Sequence, residues 1–176
     1  MESVTPTARR GLRVLGGSAA ILNAVILAVG IVGLVVMSAS IRPWLAVLVF
    51  TDVTFAGFWP GPGRPHKVWM ALAVALPLAG VGVLIATGLA GRSALMAAGI
   101  VLSCLMLADR TARPLGYVGI AANSLLLVAD FATGDARSIP VAALVGVGYL
   151  LLIAWFAWIA ITLLAPRSVP ESAGPT

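Results

Sequence analysis

The chain has 176 residues, of which 61% are apolar and 10% charged, against about a quarter charged in a soluble domain. Its mean hydropathy of +1.09 and pI near 10.7 exclude an ordinary soluble globule and predict one membrane-embedded, all-α domain, since helices satisfy their own backbone in lipid. The basic balance does not indicate nucleic acid, because most arginines stand beside apolar runs, where the positive-inside bias puts them.

The first apolar run covers 14–39 and follows Arg9, Arg10 and Arg13. It is too long for the apolar region of a signal peptide, about 7 to 15 residues, so it reads as an uncleaved first helix behind a cytoplasmic segment, 1–13. The second run, 43–59, is short, contains Asp52, and ends in the proline- and glycine-rich stretch 60–65. The third, 68–90, carries Pro77 near its middle. A tight turn at Gly91-Arg92-Ser93 leads to the fourth, 94–108, which closes at Asp109-Arg110. The fifth covers 114–132 and the sixth 140–164. Pro43, Pro114 and Pro140 suit a first helical turn. The polar, proline-rich tail 166–176 is expected to be a disordered cytoplasmic segment.

Charge tests whether the second run spans. With six spans and the N-terminus inside, the cytoplasmic side holds Arg9, Arg10, Arg13, Arg64, Lys67, Arg110, Arg113 and Arg167, eight residues, and the outer side Arg42, Arg92 and Arg137, three. Without the second span the same residues divide five against six and the bias vanishes. The expectation is therefore a bundle of six transmembrane helices over 14–165 with both termini cytoplasmic. Trp44, Trp59, Trp69 and Tyr117 fall at predicted helix ends, where amphipathic rings prefer the interface. Arginine far outnumbers lysine (Lys67 alone), and alanine and glycine are abundant. That bias points to a GC-rich bacterial genome, and so to the bacterial inner membrane.

Arg13, Leu15, Gly16, Asn23 and Leu27 recur as Arg113, Leu115, Gly116, Asn123 and Leu127, at a constant offset. This is either a parallel repeat of the kind transporters use or coincidence in a restricted alphabet.

Asp52 leads the candidates for chemistry. An acid at the bilayer centre costs about 2.5 to 3.5 kcal/mol on insertion scales, and no Arg or Lys lies within any run to offset it. Asp52 is therefore expected to be protonated, hydrogen-bonded, or facing water or a bound cation. With Thr51, Thr54, Asn23 and Asn123 it forms a candidate proton or cation site. Equally, these residues can be interhelical hydrogen bonds, worth about 0.6 to 2 kcal/mol each. Asp130, with Asp135 and Arg137, reads as a solvated outer rim. Pro77, followed by Gly80 and Gly82, predicts a helix kink, which either frees a carbonyl for an ion or merely bends the span. Gly16, Ala20, Ala24 and Ala28 form a small-residue ridge, for packing within the bundle or for dimerisation. Trp155 and Trp158, with Tyr149, either line a pocket or pack and face lipid.

The lone Cys104 rules out an internal disulfide and a cysteine metal site, and reads as a small buried hydrophobe. The lone His66 rules out a histidine metal cluster or a Ser-His-Asp triad from this chain alone. Neither a phosphate-binding loop nor a nucleophile elbow is present, and no run contains a lysine for a Schiff base. No catalytic residue, metal or cofactor is assigned, and the chain is not read as an enzyme.

The segment Arg113-Pro114-Leu115-Gly116-Tyr117-Val118-Gly119-Ile120-Ala121-Ala122-Asn123, with the later stretch from Tyr149 to Trp158, resembles small bacterial multi-pass membrane proteins grouped only as a domain of unknown function. The resemblance covers the last third of the chain. It implies about six helices, establishes no activity and transfers no functional residue. The expected role is that of a structural or accessory protein binding another membrane protein or lipid. The alternative is a small transporter or channel using Asp52. Expected partners are the lipid bilayer and either a second copy of the chain or another membrane protein.

Overall fold

A computed structural model describes residues 6–36, 42–58, 64–87, 92–108, 112–131 and 139–165. Among these the fold is all-α, with helices α1 (Pro6–Val36), α2 (Arg42–Ala56), α3 (Arg64–Thr87), α4 (Arg92–Ala108), α5 (Arg113–Phe131) and α6 (Ile139–Leu164). The described part of each expected apolar run lies on one helix, save that the second run turns at 57–58. The tail 166–176, Trp59, Asp109, Arg110, Asp135 and Arg137 lie outside the described residues, as does the side chain of Trp44.

Proline sets most of the starts. It is the first or second residue of α1, α2, α3, α5 and α6, where its missing donor costs nothing and its fixed φ suits the helix. Thus α1 begins at Pro6, ahead of its apolar run, and carries Arg9, Arg10 and Arg13 on its first turns. Likewise α3 opens at Arg64-Pro65, within the stretch expected to be a turn. At the other end, α2 tightens before it stops: the Phe58 amide donates to the Phe55 carbonyl at 3.0 Å, a short-range closure usual in last turns.

Two helix C-termini are held by arginines from neighbours. Arg13 donates from Nη2 to the Thr162 carbonyl of α6 at 3.1 Å. Arg113 donates from Nε to the Leu107 carbonyl of α4 at 3.1 Å. Carbonyls in a last turn lack intrahelical donors, and a cation there also favours the helix dipole.

The helices follow chain order around a ring. Each packs on the next, α6 returns to α1, and α2 also touches α4. Among the described residues, large side chains fill the interior. Phe55, Met70, Met96, Leu102, Trp155 and Phe156 are fully buried. Phe55 of α2 meets Trp155 of α6 edge to face, with centroids 6.3 Å apart and planes at 78°, a favoured aromatic geometry. The outside is apolar too: Val29, Leu78, Ile85, Phe131, Leu150 and Ile161 are exposed, as suits a surface whose solvent is not water. Cys104 is exposed, which corrects its reading as a buried hydrophobe; apolar residues on a membrane-type helix give no signal of which face turns inward.

The expectation of six spans is met only in part. Thr7–Gly30, Arg113–Phe131 and Ala143–Leu164 are long and apolar enough to cross a membrane. The apolar parts of the other helices, Ala46–Ala56, Val68–Gly82 and Ser93–Leu107, are shorter. With 15 and 17 residues, α2 and α4 reach about 22 and 26 Å, below the roughly 30 Å of a hydrocarbon core.

Candidate functional site

The seam between α1 and α2 holds three of the candidate residues. Gly16 and Gly57 let the two backbones touch: a methyl added at Gly16 would stand 2.8 Å from the Gly57 Cα and 3.1 Å from the Thr54 carbonyl oxygen. That approach brings Asn23, fully buried, within reach of α2. Its Nδ2 donates to the Thr51 hydroxyl at 3.1 Å. With the amide turned over, Nδ2 donates to the Val47 carbonyl at 3.2 Å and Oδ1 accepts from the Thr51 hydroxyl at 3.1 Å, so Asn23 is tied to α2 either way. The hydroxyls of Thr51 and Thr54 also bond back along their own helix, to the Val47 and Phe50 carbonyls, each at 2.7 Å. Back-bonding of this kind satisfies a hydroxyl with no outside partner.

Asn123 sits at a second seam, between α4 and α5. Its Nδ2 donates to the Gly119 carbonyl at 2.7 Å, and its amide fills the space where a Gly99 side chain would be. Ser103 Oγ donates to the Gly99 carbonyl at 2.6 Å. A side chain at Gly119 would collide with Ser103 Oγ and with the Trp155 indole. Hence α4, α5 and α6 converge on Gly119. Trp155 Nε1 is buried there without a hydrogen-bond partner.

Asp52 stands apart from both seams. It is half-buried, yet both carboxyl oxygens are shielded and have no hydrogen-bond partner. At about 100° per residue, Asp52 falls on the far side of Phe55 from Thr51 and Thr54. The structure therefore joins Asn23 to Thr51 but brings no amide or hydroxyl of the candidate set onto Asp52. Nor is Asp52 at the middle of its helix. Since α2 ends at Ala56, the residue lies about 6 Å along the axis from the helix end.

Pro77 lies inside α3 and is buried, as is Ala73. Proline has no amide hydrogen, so the Ala73 carbonyl loses its intrahelical donor. Asp130 accepts a hydrogen bond from the Ser93 hydroxyl at 3.0 Å, a tie between the ends of α5 and α4. The aromatic group divides: Trp155 is 1% exposed and Tyr149 is buried, whereas Trp158 is 43% exposed. Ser103, Gly99 and Gly119 were not evident as a polar seam from sequence; the only signal is the spacing of small residues on α4 and α5.

An open groove of about 480 Å³ runs down the outside of the bundle between α1 and α6. Ala24 and Ala160, the least exposed of its lining, form its floor, and Ile21, Val25, Ile161 and Leu164 its exposed sides. The small-residue ridge of α1 winds into it. Gly16 is spent on α2 and Ala20 is buried, but Ala24 reaches the groove and Ala28 lies exposed. Among the described residues no three His, Cys, Asp or Glu side chains gather as metal ligands would. No family model, curated protein or solved structure matches the chain.

Proposed function

We infer that the chain is a six-span protein of the bacterial inner membrane, with both termini in the cytoplasm, that works by binding a lipid or another membrane protein and not by catalysis. The eight-against-three division of basic residues supports six spans. The short α2 and α4 are then accommodated by local thinning of the bilayer around the bundle. One observation carries the binding role. The buried amides and hydroxyls of Asn23, Thr51, Thr54, Ser103 and Asn123 are spent on backbone or on one another, while the open apolar groove faces outward.

A second reading, a proton or cation site at Asp52, is favoured by the two shielded, unpartnered carboxyl oxygens. Leaving a buried polar group unpaired costs about 1 to 3 kcal/mol, which selection tolerates more readily at a working residue. Unfolding midpoints of Asp52→Asn and wild type in detergent, from acidic to alkaline pH, separate the two. The binding reading expects the variant and wild type to share one pH dependence, since Asp52 has no hydrogen-bond partner to lose. A variant at least as stable as wild type, and free of a pH dependence that wild type has, gives the site to proton or cation traffic.

A further inference from the structure

The geometry points to an anionic phospholipid of the cytoplasmic leaflet as the occupant of the groove between α1 and α6. The inference rests on the membrane-binding role proposed above and names its ligand. Three features of the groove argue for it. The first is length. On α6 the lining runs from Ala157 to Ala165, about 12 Å of helix. That is close to one leaflet of a hydrocarbon core of about 30 Å, so the groove fits an acyl chain and is too short to seat a spanning helix along its whole length.

The second is lining. Every wall residue is an alanine or a branched aliphatic, and nothing in it asks for a polar ligand. The third is charge at one end. Arg13 reaches across to the Thr162 carbonyl, which lies in sequence between the lining residues Ile161 and Leu164. Arg10 is exposed one turn earlier. Arg10, Gly17 and Ala24 are spaced by seven and so share a face of α1, and Leu164 lies directly over Gly17. The stripe therefore passes from a cation, over the α1–α6 contact, into the groove. A phosphate at Arg10 and Arg13 with its acyl chain along Ala24 and Ala160 matches this order. Basic clusters between spanning helices on the cytoplasmic side favour anionic headgroups for the same reason.

The test uses the full chain in phosphatidylcholine vesicles that contain a minority of brominated phosphatidylglycerol or brominated phosphatidylcholine. The readout is the part of the tryptophan emission that disappears in Trp158→Phe, because Trp158 is exposed next to Ala157 of the lining. The brominated anionic lipid should quench it at about a fivefold lower mole fraction than the zwitterionic one. Arg10→Ala at its exposed position should narrow that ratio, and Arg10→Ala with Arg13→Ala should abolish it. Equal quenching by both lipids in wild type overturns the proposal and leaves the membrane reading standing. No quenching by either lipid removes both. Ready oxidation of Ile161→Cys to a crosslinked dimer, in a Cys104→Ser background, assigns the groove to a second copy and also overturns the proposal.

Discussion

Helices α1 and α5 carry the same residues one hundred positions apart, and the fold uses them in parallel up to a point. Arg13 and Arg113 each bond a last-turn carbonyl of a neighbouring helix. Gly16 and Gly116 each stand so close to a neighbour's backbone that an added methyl would lie 2.8 Å from it. Asn23 and Asn123, one turn-pair further on, are both buried. The difference lies in what the asparagine meets. Asn23 faces Thr51 and bonds across to α2, whereas Asn123 faces Gly99 and folds back onto its own helix. Leu15 is 61% exposed and Leu115 2%. The same pattern thus makes a hydrogen-bonded seam beside an open groove in α1, and a close-packed seam inside the bundle in α5. A shared small-residue and asparagine face specifies close approach; the facing helix decides whether that approach is polar or purely steric.

The sharpest way to break this comparison is at position 119, where α5 has glycine and the corresponding residue of α1 is Ala19, buried without difficulty. Gly119→Ala should cost about 1 to 3 kcal/mol as overpacking against Ser103 and Trp155, read as a lowered unfolding midpoint in detergent. Next in size is Gly16→Ala, whose methyl would first meet backbone atoms of Gly57 and Thr54. A loss of about 1 to 2 kcal/mol is expected, and a neutral result would mean the α1–α2 seam is loose.

The asparagines sharpen the contrast. Asn23→Ala should cost about 1 kcal/mol more than Asn123→Ala, since only the first removes a bond between helices; equal losses would reduce the two seams to packing alone. Smallest are the caps. Arg13→Ala and Arg113→Ala should each cost about 0.3 to 1 kcal/mol, with the losses shrinking as salt is raised.

The number and order of helices were legible because long apolar runs, punctuated by proline and charge, leave few alternatives. The pairing of Asn23 with Thr51 joined two residues already singled out. Helix faces were not legible. In a chain that is apolar all round, periodicity carries little information on which side turns inward. Trp155 and Trp158, three residues apart on α6, end on opposite sides of the surface, and Cys104 turns outward beside the buried Ser103 and Leu102. Glycines mark some of the inward faces, at Gly16, Gly99, Gly116 and Gly119, where a neighbouring helix comes too close for a side chain. Asp52 was read as mid-span because apolar sequence continues to Trp59, but α2 gives way to a turn at 57–58.

Whether the short α2 crosses the membrane decides the topology on which the account rests. The direct measurement is labelling of single cysteines, in a Cys104→Ser background, by a reagent that cannot cross intact cells. Cysteines placed at 40, 90 and 135 should react from outside, and those at 61, 111 and 170 only after the cells are opened. Reaction from outside at 61 and 111, with protection at 90, would place α2 on one side of the membrane and contradict the six-span arrangement.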